Sequence, residues 1–153
     1  MTRGKLTMGL FSLFGNKEEA ERKREAKRIA RLEKQKQNLI KLQLMEDTDQ
    51  LIDFFQANYV ERLVGKFGKW EQGWAYFTEE RLIVITGILE ENIVIPYQNI
   101  RALEKSSQGA AQMAITITYE DRNSGETVSD RVSMMKRDYW MAFMAEKAHI
   151  SLD

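Results

Sequence analysis

The stretch that most constrains the fold covers residues 73–100 and reads GWAYFTEERLIVITGILEENIVIPYQNI. Its first segment alternates, so that Trp74 and Tyr76 fall on one face of an extended chain and their neighbours on the other. A polar break of hairpin length precedes Arg81–Ile88, which is rich in β-branched residues and apolar on both faces. Two shorter strands follow around Pro96, the only proline, which marks a strand end or an edge. The pattern predicts an antiparallel sheet in which Arg81–Ile88 is covered on both faces or lies inside a curled sheet.

The charges are divided unevenly along a chain whose overall net charge is zero. Residues 1–41 contain twelve Lys or Arg and five Asp or Glu, a net charge of +7, whereas the remainder carries −7. A basic arm is therefore attached to an acidic body. Cysteine is absent, which fits a reducing compartment, and we expect the protein to be cytoplasmic. No apolar run approaches the roughly 20 residues of a membrane-spanning helix.

Residues 1–45 are predicted to form the basic arm, mostly helical from Asn16. Asn16 and Glu19 have the spacing of a capping box, and no Gly or Pro interrupts the chain from there to Thr48. Apolar residues are sparse at first and become frequent from Leu39 onward. We therefore expect the first half of the helix to be solvated and the second half to pack on the body. The apolar heptad is broken twice, which argues against a coiled coil.

A basic helix suits an anionic membrane or nucleic acid. The arm lacks interleaved aromatic residues for base stacking, which argues against nucleic acid. Only the short cluster Leu10–Phe14 is available as an apolar anchor, so we expect at most partial, salt-sensitive binding to anionic membranes at low salt and none at physiological ionic strength. The residues that a membrane contact would use are Phe11, Phe14, Arg22, Arg24, Lys27 and Arg28.

Residues 46–58 are predicted to form a short amphipathic helix, begun by a cap in Glu46-Asp47-Thr48-Asp49. Its apolar stripe consists of Leu51, Ile52 and Phe55, followed by Tyr59. A strand is then expected from Tyr59 to Gly65.

The segment Gly65-Lys66-Phe67-Gly68-Lys69 resembles two known loops only superficially: the nucleotide-binding P-loop and the nucleic-acid-binding loop of KH domains. A P-loop needs four residues between its glycines and a Ser or Thr after the lysine, and a KH loop joins two helices. Here two residues separate the glycines, Trp70 follows, and the next element reads as a strand. We interpret the segment as a connection between strands, in which Lys66 and Lys69 are the candidate binding residues.

The sequence GWAYFTEERLIVI and the later IPYQNIRALEK resemble the corresponding hairpin and following segment of GRAM and bacterial pleckstrin-homology (PH)-like domains. The resemblance covers residues 59–153, about two thirds of the chain. It implies a mainly β fold with flanking helices: a PH-like, seven-stranded, bent antiparallel barrel capped by a C-terminal helix and preceded by the long basic helix. It also implies that Trp140, on the last helix after a cap at Asp138, plugs the barrel.

The chain departs from phosphoinositide-binding members of this family. Those members concentrate basic residues in the first hairpin and second strand, whereas only Lys66 and Lys69 match that place here and residues 74–78 contain no base. The departure argues against recognition of a lipid headgroup.

Catalytic residues are not apparent in the sequence. The single histidine, His149, is expected to face solvent, and no cluster of Cys or His suits zinc. We therefore predict a non-enzyme without cofactor or metal. Two functions stay open: an interaction module that binds a peptide, a protein partner or a second copy of itself, and a peripheral membrane protein at the inner face of the membrane.

Overall fold

The computed structural model describes residues 2–60, 70–87, 92–106 and 113–152, with side chains from Gly15 onward. Helix α1 spans Thr2–Lys41 and helix α2 spans Arg137–Ala148. The strands between them are β1 (Leu51–Val60), β2 (Glu71–Thr78), β3 (Arg81–Thr86), β4 (Ile93–Pro96), β5 (Ile100–Ser106), β6 (Ala114–Glu120) and β7 (Thr127–Ser133), with a 3₁₀ turn at Tyr97–Asn99.

The seven strands form one antiparallel sheet in the order β4-β3-β2-β1-β7-β6-β5. Strands β4 and β5, at opposite edges of this order, are joined by the single 3₁₀ turn, so the sheet must bend strongly to bring its edges together. The C-terminal helix α2 packs against the concave side. The expected PH-like architecture is confirmed: one helix precedes the seven strands in the chain, and another follows them.

Residues 46–58 do not form the expected amphipathic helix. Residues 51–60 form β1, a central strand that pairs with β2 along most of its length and with β7 at its end. Leu51 and Phe54 face the apolar cluster beneath α1, whereas Ile52 and Phe55 face the barrel interior. A bulge at the start of β1 interrupts the alternation of faces. Because β1 is also buried on both faces, its apolar residues have the spacing of an amphipathic helix.

The barrel interior is filled by aromatic and β-branched side chains around Trp140 of α2. Trp140 is 3% exposed and its ring stacks on Phe77, with 4.2 Å between the ring centroids. Phe55 and Phe143 also contact the Trp140 ring. The prediction that Trp140 plugs the barrel is confirmed. Asp138 is not the cap of α2, because Lys136 occupies that position in a left-handed conformation and Asp138 instead pairs with Lys105 and Arg137.

A second apolar cluster lies on the outer face of the sheet, beneath the last turns of α1. Leu39 is 1% exposed and packs there with Leu44 and Met45 from the chain that follows the helix. The sheet contributes Tyr76 of β2 and Ile83 of β3. Strand β3 is thus covered on both faces, as its apolar pattern predicts, and the second half of α1 packs on the body.

Helix α1 begins at Thr2, so the expected start at Asn16 is wrong. Neither Gly15 nor Asn16 interrupts it. From Gly15 to Arg31 nearly every side chain is exposed, which confirms the expected solvated half.

The threonine–arginine motif of the β2–β3 hairpin joins the arm to the body. The Thr78 hydroxyl accepts hydrogen bonds from the backbone N–H groups of Glu80 and Arg81, which closes the turn. The Arg81 guanidinium donates to the carbonyl of Leu44 at 3.3 Å and lies 3.7 Å from the buried carboxylate of Asp49. Asp49 therefore anchors the connection after α1 instead of capping a helix.

Candidate functional site

A groove of about 920 Å³ opens where β1, β2 and β3 meet the ends of β6 and β7. We call it the Trp74 groove. Its lining consists of Gln56, Ala57, Asn58, Gln72, Gly73, Trp74, Ile85, Thr86, Gly87, Met113, Ser133, Met134 and Met135. Among these side chains, Trp74 is 40% exposed, Met113 38% and Met135 71%. The groove therefore has an apolar rim that faces solvent, which is unusual for a surface without a partner.

Backbone packing sets the shape of the groove. At Gly73, a Cβ atom would lie 2.3 Å from the carbonyl oxygen of Ile85, so only glycine allows β2 to approach β3 this closely. The Met134 N–H donates to the Met113 carbonyl at 3.2 Å, which holds the ends of β6 and β7 together and places two methionines on the same wall. Trp74 of β2 and the methionines next to the ends of β6 and β7 therefore line one opening.

Trp74 is supported by aromatic neighbours on the outer face of the sheet. Its ring lies 6.0 Å from that of Phe54, which stacks on Tyr76 at 5.7 Å. The predicted alternation of β2 is confirmed, because Trp74 and Tyr76 lie on this face while Ala75 and Phe77 lie in the barrel core. Because its neighbours already restrict the Trp74 ring, the ring can contact a partner with little further loss of conformational entropy.

The described lining of the groove is neutral. None of its described residues is charged, and the polar ones are amides and hydroxyls such as Gln56, Asn58 and Ser133. The hydroxyl of Thr86, also in the lining, donates to the Glu71 carboxylate at 3.2 Å. Methionine side chains adapt to irregular apolar shapes because they are unbranched and polarizable. The described lining thus suits an apolar side chain with nearby amide groups and offers no cation for a phosphate.

The most buried polar cluster lies inside the barrel. The hydroxyls of Tyr59 and Tyr119 both donate to the same oxygen of Asp130, and all three residues are buried. Burial, followed by the charge of Asp130, raises the pKa of Tyr59 well above its ordinary value, so its hydroxyl stays protonated and remains a donor. The cluster ties β1, β6 and β7 together and is closed to a substrate, which indicates a structural role.

The structure distributes the predicted site residues over separate regions. Lys66 and Lys69 lie outside the described residues, and the side chains of Phe11 and Phe14 lie in the part of α1 without described side chains. Arg22, Arg24, Lys27 and Arg28 are exposed along the projecting half of α1. None of Arg22, Arg24, Lys27 and Arg28 lines the Trp74 groove. His149 is exposed just after α2, as expected.

Within the described ranges, no group of three or more His, Cys, Asp or Glu side chains could hold a metal ion. No described helix is both long enough and apolar enough to cross a bilayer.

Comparison with known proteins finds similarity in structure alone. No protein-family model matches the sequence, and no curated protein does. A C-terminal domain of an unknown protein from Leishmania infantum is 16% identical over 67% of this chain and 86% of that one, with a TM-score of 0.48. The Vps36 N-terminal PH domain is 13% identical over 69% of this chain and 83% of its own, with a TM-score of 0.48.

The DH/PH domains of p115-RhoGEF are 13% identical over 69% of this chain, with a TM-score of 0.47. The matched region spans 32% of that longer fragment. The PH-like topology of the present chain is established by its own strand order and capping helix.

The Trp74 groove was not predicted from the sequence. The alternation of β2 places Trp74 on the outer face, but the methionines that complete the rim come from residues 113–135, which pair with β1 only through β7. An outward Trp74 and the unusual number of methionines were the available signals.

Proposed function

We propose that this chain is a non-catalytic interaction module of the GRAM-like or bacterial PH-like type that binds an apolar segment of a protein partner in the Trp74 groove. One observation supports the proposal above the others. Trp74, Met113 and Met135 are three of the large apolar side chains exposed on the described surface, and all three border one groove whose described lining carries no charge. Exposed tryptophan and methionine are enriched where proteins bind partners.

The proposed occupant is an extended peptide that presents one apolar side chain to the groove. The neutral amides of Gln56 and Asn58 suit its backbone N–H and carbonyl groups. A second copy of this chain is the alternative occupant, and it predicts a dimer that depends on the same residues.

The test is a selection of random displayed peptides on the full chain. Peptides with an apolar anchor should bind the wild-type protein and should bind Trp74→Ser plus Met135→Ser at least about tenfold more weakly, because central aromatic contacts dominate such interfaces. The control Leu42→Ser plus Leu152→Ser removes two exposed apolar side chains elsewhere and should leave the affinity unchanged.

A selection without binders, or binders that retain their affinity for the groove variant, would contradict the proposal. If the wild-type chain sediments as a dimer and the Trp74→Ser variant sediments as a monomer, the occupant of the groove is a second copy of the chain and not a peptide.

A second candidate function is peripheral contact with an anionic membrane through the basic arm, with the cytoplasmic face as the proposed location. The observation that favours it is the exposure of α1 from Gly15 to Arg31, which leaves this half of a 40-residue helix free to meet a surface.

A further inference from the structure

The charges of α1 are sorted by face. At about 100° per residue, an arc of roughly 140° of the helix surface between Gly15 and Lys41 contains eight of the ten basic residues and no acid. The bases in this arc, which we call the basic arc, are Lys17, Lys23, Arg24, Lys27, Arg28, Arg31, Lys34 and Lys41. Outside it lie Arg22, Lys36 and all five glutamates: Glu18, Glu19, Glu21, Glu25 and Glu33.

Ion pairs within α1 occur at the borders of the basic arc. Lys23 pairs with Glu19 at 3.8 Å and Arg28 with Glu25 at 3.3 Å, and these exposed pairs are weak and screened by salt. None of the ion pairs that the structure shows along α1 involves Lys17, Arg24, Lys27 or Lys34. The centre of the arc therefore keeps its positive charge for an external partner.

The packing of α1 on the body leaves the bases of the arc exposed, and one of them, Arg31, also lies over the Phe54 ring of β1, 5.3 Å from the ring centroid. Leu32, Lys36 and Leu39 turn toward the sheet, and the centre of the arc lies roughly a third of a turn away from them. Lys34 is accordingly exposed beside the packed residues. The arc runs for about 36 Å from Lys17 to Lys41 at 1.5 Å per residue.

The sequence continues the same line toward the N-terminus with leucines. Leu6, Leu10 and Leu13 precede Lys17 at intervals of four, three and four residues. Because α1 begins at Thr2, these positions share the helical register of the arc. One line of positions in the sequence therefore changes from leucine to lysine and arginine. Apolar area and attraction of bases to anionic lipids both strengthen the binding of a helix to a membrane surface.

We propose that the basic arc is the contact surface of this chain for anionic lipids, with α1 lying along the membrane. The inference rests on the second candidate function and adds the face that makes the contact. A flat anionic surface matches a long line of exposed cations along one side of a helix. Nucleic acid would match the charge, but the described arc offers no aromatic side chain for base stacking.

The test compares variants with the same net charge as the wild-type chain. Lys17→Glu, Glu18→Lys, Arg24→Glu and Glu25→Arg together place two acids inside the basic arc and move two bases out of it. The control, Glu21→Arg plus Arg22→Glu, exchanges charges outside the arc. Circular dichroism serves as the check that both variants keep the helix content of the wild-type chain.

Binding is measured by cosedimentation with vesicles that contain about 30% phosphatidylserine, at low and at physiological ionic strength. We expect the wild-type chain and the control to bind at low salt and to weaken as salt is added. The arc variant should bind roughly twentyfold more weakly, at about fivefold for each base withdrawn from the surface. The replacement of Leu10 and Leu13 by Ser should reduce the binding further.

Equal binding by the arc variant and the wild-type chain would contradict the basic arc as the contact surface, but it would not contradict the proposed membrane function. Failure of the wild-type chain to bind at low salt would overturn both. Binding to a labelled DNA duplex without binding to vesicles would assign the arc to nucleic acid and overturn the lipid proposal.

Discussion

At the scale of single residues, Trp140 makes the most extensive aromatic contacts in the barrel. The substitution Trp140→Ala removes a ring that is 3% exposed and contacts Phe55, Phe77 and Phe143. We expect the free energy of unfolding to fall by about 3–5 kcal/mol, because a large cavity remains in the core. Urea denaturation measures this change. Met135→Ala, at a side chain that is 71% exposed, is the control and should change the stability by less than about 0.5 kcal/mol.

A midpoint for Trp140→Ala within error of the wild-type midpoint would show that the helix does not close the barrel.

Tyr97 links stability to alkaline pH. Burial, followed by the charges of Asp49 and Glu79, raises its pKa well above the ordinary value of about 10, while its hydroxyl donates to the Thr78 carbonyl at 2.7 Å. The stabilisation is fully present below pH 10 and is lost as the pH rises further, because the unfolded chain then releases a proton that the folded chain retains. Tyr97→Phe should lower the stability by about 1 kcal/mol at pH 8.

The difference between wild type and Tyr97→Phe should stay constant below about pH 10 and shrink as the pH rises above it in denaturant titrations. A difference that grows with pH would contradict the assigned direction of the pKa.

At the scale of elements, the sequence predicted β2 because its alternation is uninterrupted. Ala75 and Phe77 lie in the barrel core, whereas Trp74 and Tyr76 lie on the outer face, where Tyr76 belongs to the cluster beneath α1 and Trp74 is partly exposed beside Phe54. The only proline ends edge strand β4, where its missing N–H does not interrupt pairing.

Strand β1 could not be recognised in this way. It is central, covered by α1 on one face and by the barrel core on the other, and a bulge near Leu51 changes the alternation. Leu51, Ile52, Phe55 and Tyr59 consequently have helical spacing, and the interactions that decide the issue come from β2 and β7, far away in the sequence. The groove was not predicted for the same reason. Trp74 lies on β2, whereas Met113 and Met135 lie next to the ends of β6 and β7, far away in the sequence.

The two halves of α1 should differ in their contribution to stability. Deletion of residues 1–28 removes a largely charged segment whose described side chains, from Gly15 onward, are nearly all exposed, and should leave a cooperative thermal transition close to that of the full chain. Deletion of residues 1–45 also removes Leu39, Leu44 and Met45 from the cluster on the sheet, and should lower the melting temperature by several degrees or more. Loss of cooperative melting after the shorter deletion would show that the projecting half is part of the core.

At the scale of the whole molecule, the two proposed surfaces have different chemistry and lie on different elements. The described lining of the Trp74 groove is uncharged and belongs to the sheet and its strand ends, whereas the basic arc belongs to α1 and shares no residue with that lining. The net charge of the whole chain is zero and therefore does not show that the bases are concentrated in the arm. A molecule of this kind would hold a protein segment on its body while its arm rests on an anionic surface.

The most direct test of partner binding in the groove is the methyl spectrum of the full chain labelled at its methionines. Met113 and Met135 line the groove, whereas Met45 lies beneath α1 and Met144 in the barrel core. Titration with a selected peptide should shift the Met113 and Met135 signals and leave those of Met45 and Met144 in place. Saturable binding that leaves Met113 and Met135 unchanged would contradict the Trp74 groove as the binding site.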